Sequence, residues 1–158
     1  MDMTTTLVDH TFHKDVRRCF EKRTYAIPAR WLYDRRGSEL FEEITELPEY
    51  YPTRTETKLL KANGPAFAEA VGPNRAVIEF GSGSSTKTPH LLKAIDPAAY
   101  VPIDISGEFL EHSASLLQEE FPDLPIHPVE ADFMKRVELP AAVANMPKLG
   151  FFPGSTIG

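Results

Sequence analysis

Apolar positions along the chain repeat with a helical period up to about residue 75 and with the shorter rhythm of strands and helices in turn after it. In the first stretch, Phe12, Val16, Cys19 and Phe20 fall on one face of an amphipathic helix. Arg17, Arg18, Lys22 and Arg23 surround that face, but Asp15 and Glu21 are interleaved with them, so the basic cluster reads as a solvated surface. Ser38 is placed to N-cap a second helix in which Leu40, Phe41, Ile44 and Leu47 form the stripe expected to be buried and Glu39, Glu42, Glu43 and Glu46 face water. Pro48 ends it. Thr53-x-x-Glu56 after Pro52 spells a capping box for a third helix carrying Leu59 and Leu60, which leaves Glu49-Tyr50-Tyr51 as a tight link. Gly64-Pro65 predicts an interruption of that helix before an Ala-rich continuation that stops at Gly72-Pro73.

From Arg75 onward, short β-rich runs alternate with helical segments. AVIEF (76–80) is followed by a helix over 87–95, AYVPID (99–104) by a helix over 109–121, and IHPVEA (126–131) by a short helix near Leu139 and then LGFFPG (149–154). This rhythm predicts an α/β fold with parallel strands and crossover helices, in the doubly wound class. The N-terminal residues 1–9 read as a loose leader and 10–73 as a helical region. A doubly wound sheet normally feeds another crossover after its fourth strand, so the expectation is a shortened architecture whose open sheet edge is available for self-association.

Composition narrows the function without naming it. At 42% hydrophobic and 25% charged, the 158 residues have an ordinary globular make-up. No run reaches the roughly 18 apolar residues of a membrane span, and MDMTTTLVDHTFHKDV has no apolar signal core, which predicts a cytoplasmic protein with no membrane partner. A net charge of −6 argues against a nucleic-acid partner. The lone Cys19 cannot close an internal disulfide, and no Cys/His spacing suits a metal.

The chemistry concentrates in Glu79-Phe80-Gly81-Ser82-Gly83-Ser84-Ser85-Thr86-Lys87, a turn between the first strand and the next helix. Gly81, Ser82 and Gly83 let the backbone approach a ligand, and the following helix turns its N-terminal donors toward it. Asp104 ends the second strand about 20 residues on, the spacing at which a carboxylate meets a nucleoside ribose. Thr86 stands where a dinucleotide fingerprint has its third glycine and where a P-loop has the glycine before its lysine, which counts against NAD and against ATP or GTP. Asp132 and Phe133 follow the third strand, placed to take an adenine amino group and cover the base. Each of these residues has an ordinary alternative as turn glycine, capping Asp or core Phe. Their combination in register favours S-adenosylmethionine, which has no pyrophosphate and whose positive sulfur Glu79 would favour.

Ser38-Glu39-Leu40-Phe41, then Leu47-Pro48-Glu49-Tyr50-Tyr51-Pro52-Thr53-Arg54-Thr55-Glu56, then Glu79 through Thr88, resemble the histidine-specific, SAM-dependent methyltransferase family. Tyr100 to Ser106, Ala131-Asp132-Phe133 and Gly150 to Gly158 follow in that family's order. The resemblance implies a Rossmann-like cofactor half over 74–158, ending after strand four, with 10–73 contributing to the substrate site. It implies trimethylation of the histidine α-amino group to hercynine in ergothioneine biosynthesis. Gly81, Lys87, Asp104, Asp132 and Phe133 would then bind the cofactor, and Tyr51 and Tyr33 the amino-acid substrate. The family's substrate-holding Asn and second domain would fall beyond Gly158, so a silent cofactor-binding or partner-binding remnant, or an N-methyltransferase for another amine such as a tryptophan derivative, stand as alternatives.

Overall fold

A computed structural model describes residues 10–22, 25–152 and 154. The leader over 1–9 and most of the terminal GFFPGSTIG string after Phe152 lie outside the described residues. Four strands, β1 (Ala76–Phe80), β2 (Ala99–Asp104), β3 (Val129–Glu130) and β4 (Lys148–Phe151), form one parallel sheet in the order β3-β2-β1-β4. β1 sits between β2 and β4, with Ile78 paired to Val101 on one side and Gly150 on the other. β1 and β2 read as almost unbroken apolar runs because both their faces are covered. The third strand is shorter than IHPVEA, since the backbone leaves the ladder after an isolated bridge between Tyr100 and Ile126 and rejoins only at Val129.

Among the described residues the α-helices are α1 (His10–Glu21), α2 (Arg35–Thr45), α3 (Pro52–Val71), α4 (Thr88–Ile95) and α5 (Gly107–Glu120). One sheet face packs Val77 and Tyr100 against Leu60 of α3, Leu91 and Leu92 of α4 and Leu117 of α5. The opposite face, with Ile78, Val101 and Ile103, is covered by the segment that includes Val137, Leu139 and Val143. There a single 3₁₀ turn, Ala141–Val143, stands where a short helix near Leu139 was expected. The chain steps from β1 to β2 to β3 in one direction and then returns past β1 to β4. The C-terminal ends of β1 and β4 therefore flank a topological switch point, where ligands bind in this class of sheet.

Four local expectations are corrected. The cap of α2 is Asp34, whose side chain accepts from Gly37 N at 2.7 Å, while Ser38 lies buried in the first turns. Gly37 is required there because a Cβ would fall 1.7 Å from the Leu32 carbonyl oxygen. The buried side of α2 is also not the one expected: Leu40, Ile44 and Leu47 are exposed, and Ser38 and Thr45 are buried.

The Thr53/Glu56 capping box does not form, since Tyr51 occupies the cap position without a side-chain bond and Glu56 is used elsewhere. Arg54 instead reaches back to the carbonyls of Leu47 and Pro48 at 2.8 and 2.5 Å, fixing the link between α2 and α3. Finally, α3 runs unbroken through Gly64-Pro65. Gly64 is buried against Ala94 of α4, with room for a Cβ only at 3.1 Å, so this close packing against α4 holds the helix together across the missing Pro65 N–H.

Candidate cofactor site

A cleft of about 330 Å³ opens at the C-terminal edge of the sheet. Its floor is the turn from Gly81 to Lys87, one side is Asp104, Asp132 and Phe133, and the roof is Arg30, Tyr33 and Phe41 with Thr53. The turn is held open by positive φ at Gly81 (69°), Gly83 (52°) and Ser85 (55°). A Cβ on Gly83 would meet no protein atom, so this glycine serves the backbone conformation and leaves the space above it clear. Ser82 is 6% exposed, and its Oγ is a buried polar atom without a protein partner among the described residues. A polar ligand lying on the turn would satisfy it.

Asp104 braces this floor. Oδ2 accepts from Gly83 N at 2.9 Å and Oδ1 from Ser106 N at 3.1 Å. Each oxygen keeps a second acceptor site for a ligand hydroxyl. Asp132 accepts from Met134 N at 3.0 Å and lies 3.7 Å from Arg30 and 3.4 Å from Lys135. Arg30 also pairs with Asp15 of α1, which accepts from Trp31 Nε1 at 3.0 Å. Bonds from Trp31 and Arg30 hold the Asp15 carboxyl below the usual range. Phe133 packs edge-on against Phe80 and Phe152 at centroid distances of 6.3 and 5.6 Å. The base-side wall is thus a carboxylate and a ring, both fixed by neighbours.

Glu79 is the most deeply buried acidic residue of the wall. It is 1% exposed although charged residues seldom reach that depth, and its carboxylate accepts from Thr88 Oγ1 at 2.8 Å and from the Tyr100 hydroxyl at 2.5 Å. Burial pushes its pKa from 4.5 to about 7, against the opposing pull of those two hydroxyls and of Lys87. Tyr100 is held protonated, its pKa driven up by burial and by Glu79. Lys87 also lines the cleft, but its ammonium pairs with Glu56 of α3, whose other oxygen accepts from Gly154 N at 2.8 Å.

The residues singled out from sequence gather unevenly. Gly81, Ser82, Gly83, Lys87, Asp104, Asp132, Phe133 and Tyr33 all line the cleft. Tyr51 does not; it is 67% exposed at the start of α3. Tyr33 is reached instead through an aromatic row, in which Tyr33 meets Phe41 at 6.4 Å and Phe41 meets Tyr50 at 5.9 Å. Arg30, Phe41 and Thr53 line the cleft without having been singled out for it. Glu79, expected from the sequence to favour the cofactor's positive sulfur, sits at an inward strand position two residues from Val77 on the same face, whereas Arg30, Phe41 and Thr53 carry no readable signal in the sequence.

Among known proteins, residues 12–158 match the family model of the histidine-specific, SAM-dependent methyltransferases. The histidine N-alpha-methyltransferase of Mycobacterium tuberculosis is 38% identical over 150 residues, covering 92% of this chain and 46% of that protein. The ergothioneine biosynthesis protein 1 of Neurospora crassa is 40% identical over 91 residues, 55% of this chain and 10% of that protein. A solved plantazolicin methyltransferase in complex with SAH aligns with a TM-score of 0.47 at 16% identity, over 80% of this chain and 46% of that one. This chain spans about half the length of the mycobacterial relative it matches. By the family match over nearly its whole length and the relative that covers it, the chain belongs to the SAM-dependent, histidine-specific methyltransferase family.

Proposed function

We propose that this chain binds S-adenosylmethionine in the cleft and takes part in N-methylation of the α-amino group of L-histidine, carried through to the trimethylated betaine hercynine. The observation that carries the reading is the convergence of the Gly81–Gly83 turn, Asp104, Asp132 and Phe133 on one cleft, with Tyr33 facing them from a separate element. Asp104 would hold the ribose hydroxyls, and Asp132 with Phe133 the adenine. Ser82 Oγ supplies a donor or acceptor to the part of the ligand on the turn. Lys87, kept at the wall by Glu56, supplies positive charge for a carboxylate.

When bound, the cofactor supplies a methyl group activated by a positively charged sulfur. The protein's task is then to exclude water and to hold a neutral amine in line with it. An α-amino group titrates near roughly 8, so a hydrogen-bond acceptor at the site would favour its unprotonated form and steer its lone pair. Tyr33, on the cleft wall, and Tyr51, at the head of α3, are the candidates for holding the amino acid. The ring faces of Tyr33 and Phe41 would accommodate the growing cationic ammonium by cation–π attraction.

Calorimetric titration with S-adenosylhomocysteine, followed by L-histidine and, separately, L-tryptophan, tests the reading. The expected result is cofactor-product binding that strengthens in the presence of histidine and not of tryptophan. A folded chain that binds no S-adenosylhomocysteine would overturn it, and coupling to tryptophan alone would move the substrate to another amine.

A further inference from the structure

Three neighbouring strands each deliver one acidic residue to the edge of the sheet where the cleft opens. Asp132 follows β3, Asp104 ends β2, and Glu79 lies next to the end of β1. The sheet order β3-β2-β1 sets them in that sequence across the edge, each stepped two residues along the strands from the next, since Glu79 pairs with Pro102 and Asp104 with Glu130. S-adenosylmethionine, read from one end, presents adenine, then ribose, then the sulfonium sulfur. With Asp132 at the base and Asp104 at the ribose, as the proposed function has them, the third position in the row falls to Glu79.

Glu79 differs from the other two in its surroundings. Asp104 and Asp132 accept from backbone N–H groups, whereas the hydrogen bonds to Glu79 among the described residues come from two hydroxyls, Thr88 of α4 and Tyr100 of β2. Neither hydroxyl carries charge. The charged groups that face it from neighbouring elements act in opposite directions: Lys87, just before α4, favours the carboxylate, and Glu56 of α3 disfavours it while pairing with Lys87. A buried carboxyl in this setting lacks a committed counter-charge, and a cation entering the cleft would provide one.

We propose that Glu79 is a proton-linked sensor of the cofactor's sulfur, ionising when a sulfonium occupies the cleft and regaining its proton when the neutral thioether remains. The Glu79 O–H bond breaks on cofactor binding and the proton passes to solvent. After methyl transfer the positive charge has left the sulfur for the amine, and the carboxylate takes a proton back from solvent. Burial that raises the Glu79 pKa to about 7 puts this exchange within reach of neutral pH. It also gives the site a reason to release product, since an ionised Glu79 loses its partner once the sulfur is neutral.

The test is proton counting. Titrations of the chain with S-adenosylmethionine and with S-adenosylhomocysteine, near pH 7, are run in phosphate and in Tris, whose ionisation heats differ. The sulfonium is expected to release about half a proton more than the thioether, because the free site is half ionised there. In Glu79→Gln that difference disappears, and the preference for S-adenosylmethionine over S-adenosylhomocysteine falls by about tenfold, the equivalent of one pKa unit of coupling. Tyr100→Phe, which removes one donor to the carboxylate, provides a second readout: the pH at which the extra proton is released moves upward. Equal proton counts for the two ligands in the unaltered chain, or a difference that survives Glu79→Gln in folded protein, overturn the inference and leave the proposed function standing. Binding of neither ligand overturns the proposed function and the inference with it.

Discussion

Replacing Glu79 by Gln keeps the shape of the side chain and removes its titration. In the folded chain the Glu79 pKa stands at about 7 against an ordinary 4.5, and the cause is burial. A raised carboxyl pKa means that the folded state holds the proton more tightly than the unfolded one. Its contribution to stability is therefore complete below about pH 4.5 and is lost as the pH climbs through the folded value near 7. At about 1.4 kcal/mol per unit, the loss across that window is on the order of 3 kcal/mol, a large share of the ~5–15 kcal/mol that stabilises a domain. Glu79→Gln does not lose it. Urea unfolding followed by circular dichroism at intervals from pH 4.5 to 8 should show the variant gaining on the parent by about 3 kcal/mol over the range, most steeply between 5 and 7. Curves that stay parallel across the whole range would refute the reasoning, because they would mean that Glu79 ionises in the fold as easily as it does in the unfolded chain.

Other perturbations probe the rest of the site. Asp104→Ala removes the acceptor for Gly83 N and Ser106 N together with the ribose contact; S-adenosylhomocysteine affinity measured by calorimetry should fall at least about tenfold, at roughly 1.5–3 kcal/mol for a charged hydrogen bond, and unchanged affinity would sink the ribose assignment. Gly37→Ala forces a Cβ against the Leu32 carbonyl, so thermal unfolding should show a loss of more than about 2 kcal/mol, with a neutral result meaning that the turn before α2 is built differently. Tyr33→Phe and Tyr51→Phe separate the two tyrosines: histidine binding to the chain loaded with S-adenosylhomocysteine should weaken in the first because Tyr33 lines the cleft, and an effect confined to Tyr51 would place the amino acid nearer the head of α3.

The sheet was legible because its central strands are covered on both sides. AVIEF and AYVPID stand out as apolar runs stopped by a glycine turn and by Asp104, and the structure gives β1 and β2 those same bounds. The glycine-rich turn was legible for a related reason: its function depends on backbone conformation, and residue type reports that directly. What failed depends on tertiary packing. Leu40 and Ile44 make the more apolar side of α2, with Leu47 just past its end, yet the helix turns Ser38, Phe41 and Thr45 toward the cleft. Hydrophobicity alone cannot register that preference. In α3, local sequence argues for a break at Gly64-Pro65, but packing against Ala94 outweighs it. Glu56 looks like a capping residue until Lys87, 31 positions away, claims it. Tyr100 and Glu79 become partners only through the pairing of β1 with β2, which sets Glu79 beside Pro102 and Val77 beside Tyr100.

The most direct test of the central claim is a crystal structure of the chain with S-adenosylhomocysteine bound. The adenine is expected between Asp132 and Phe133, the ribose hydroxyls on Asp104, and the sulfur beside Glu79, with Ser82 Oγ in contact with the ligand. A ligand bound outside this cleft, or lying along it in the reverse order, would contradict the account.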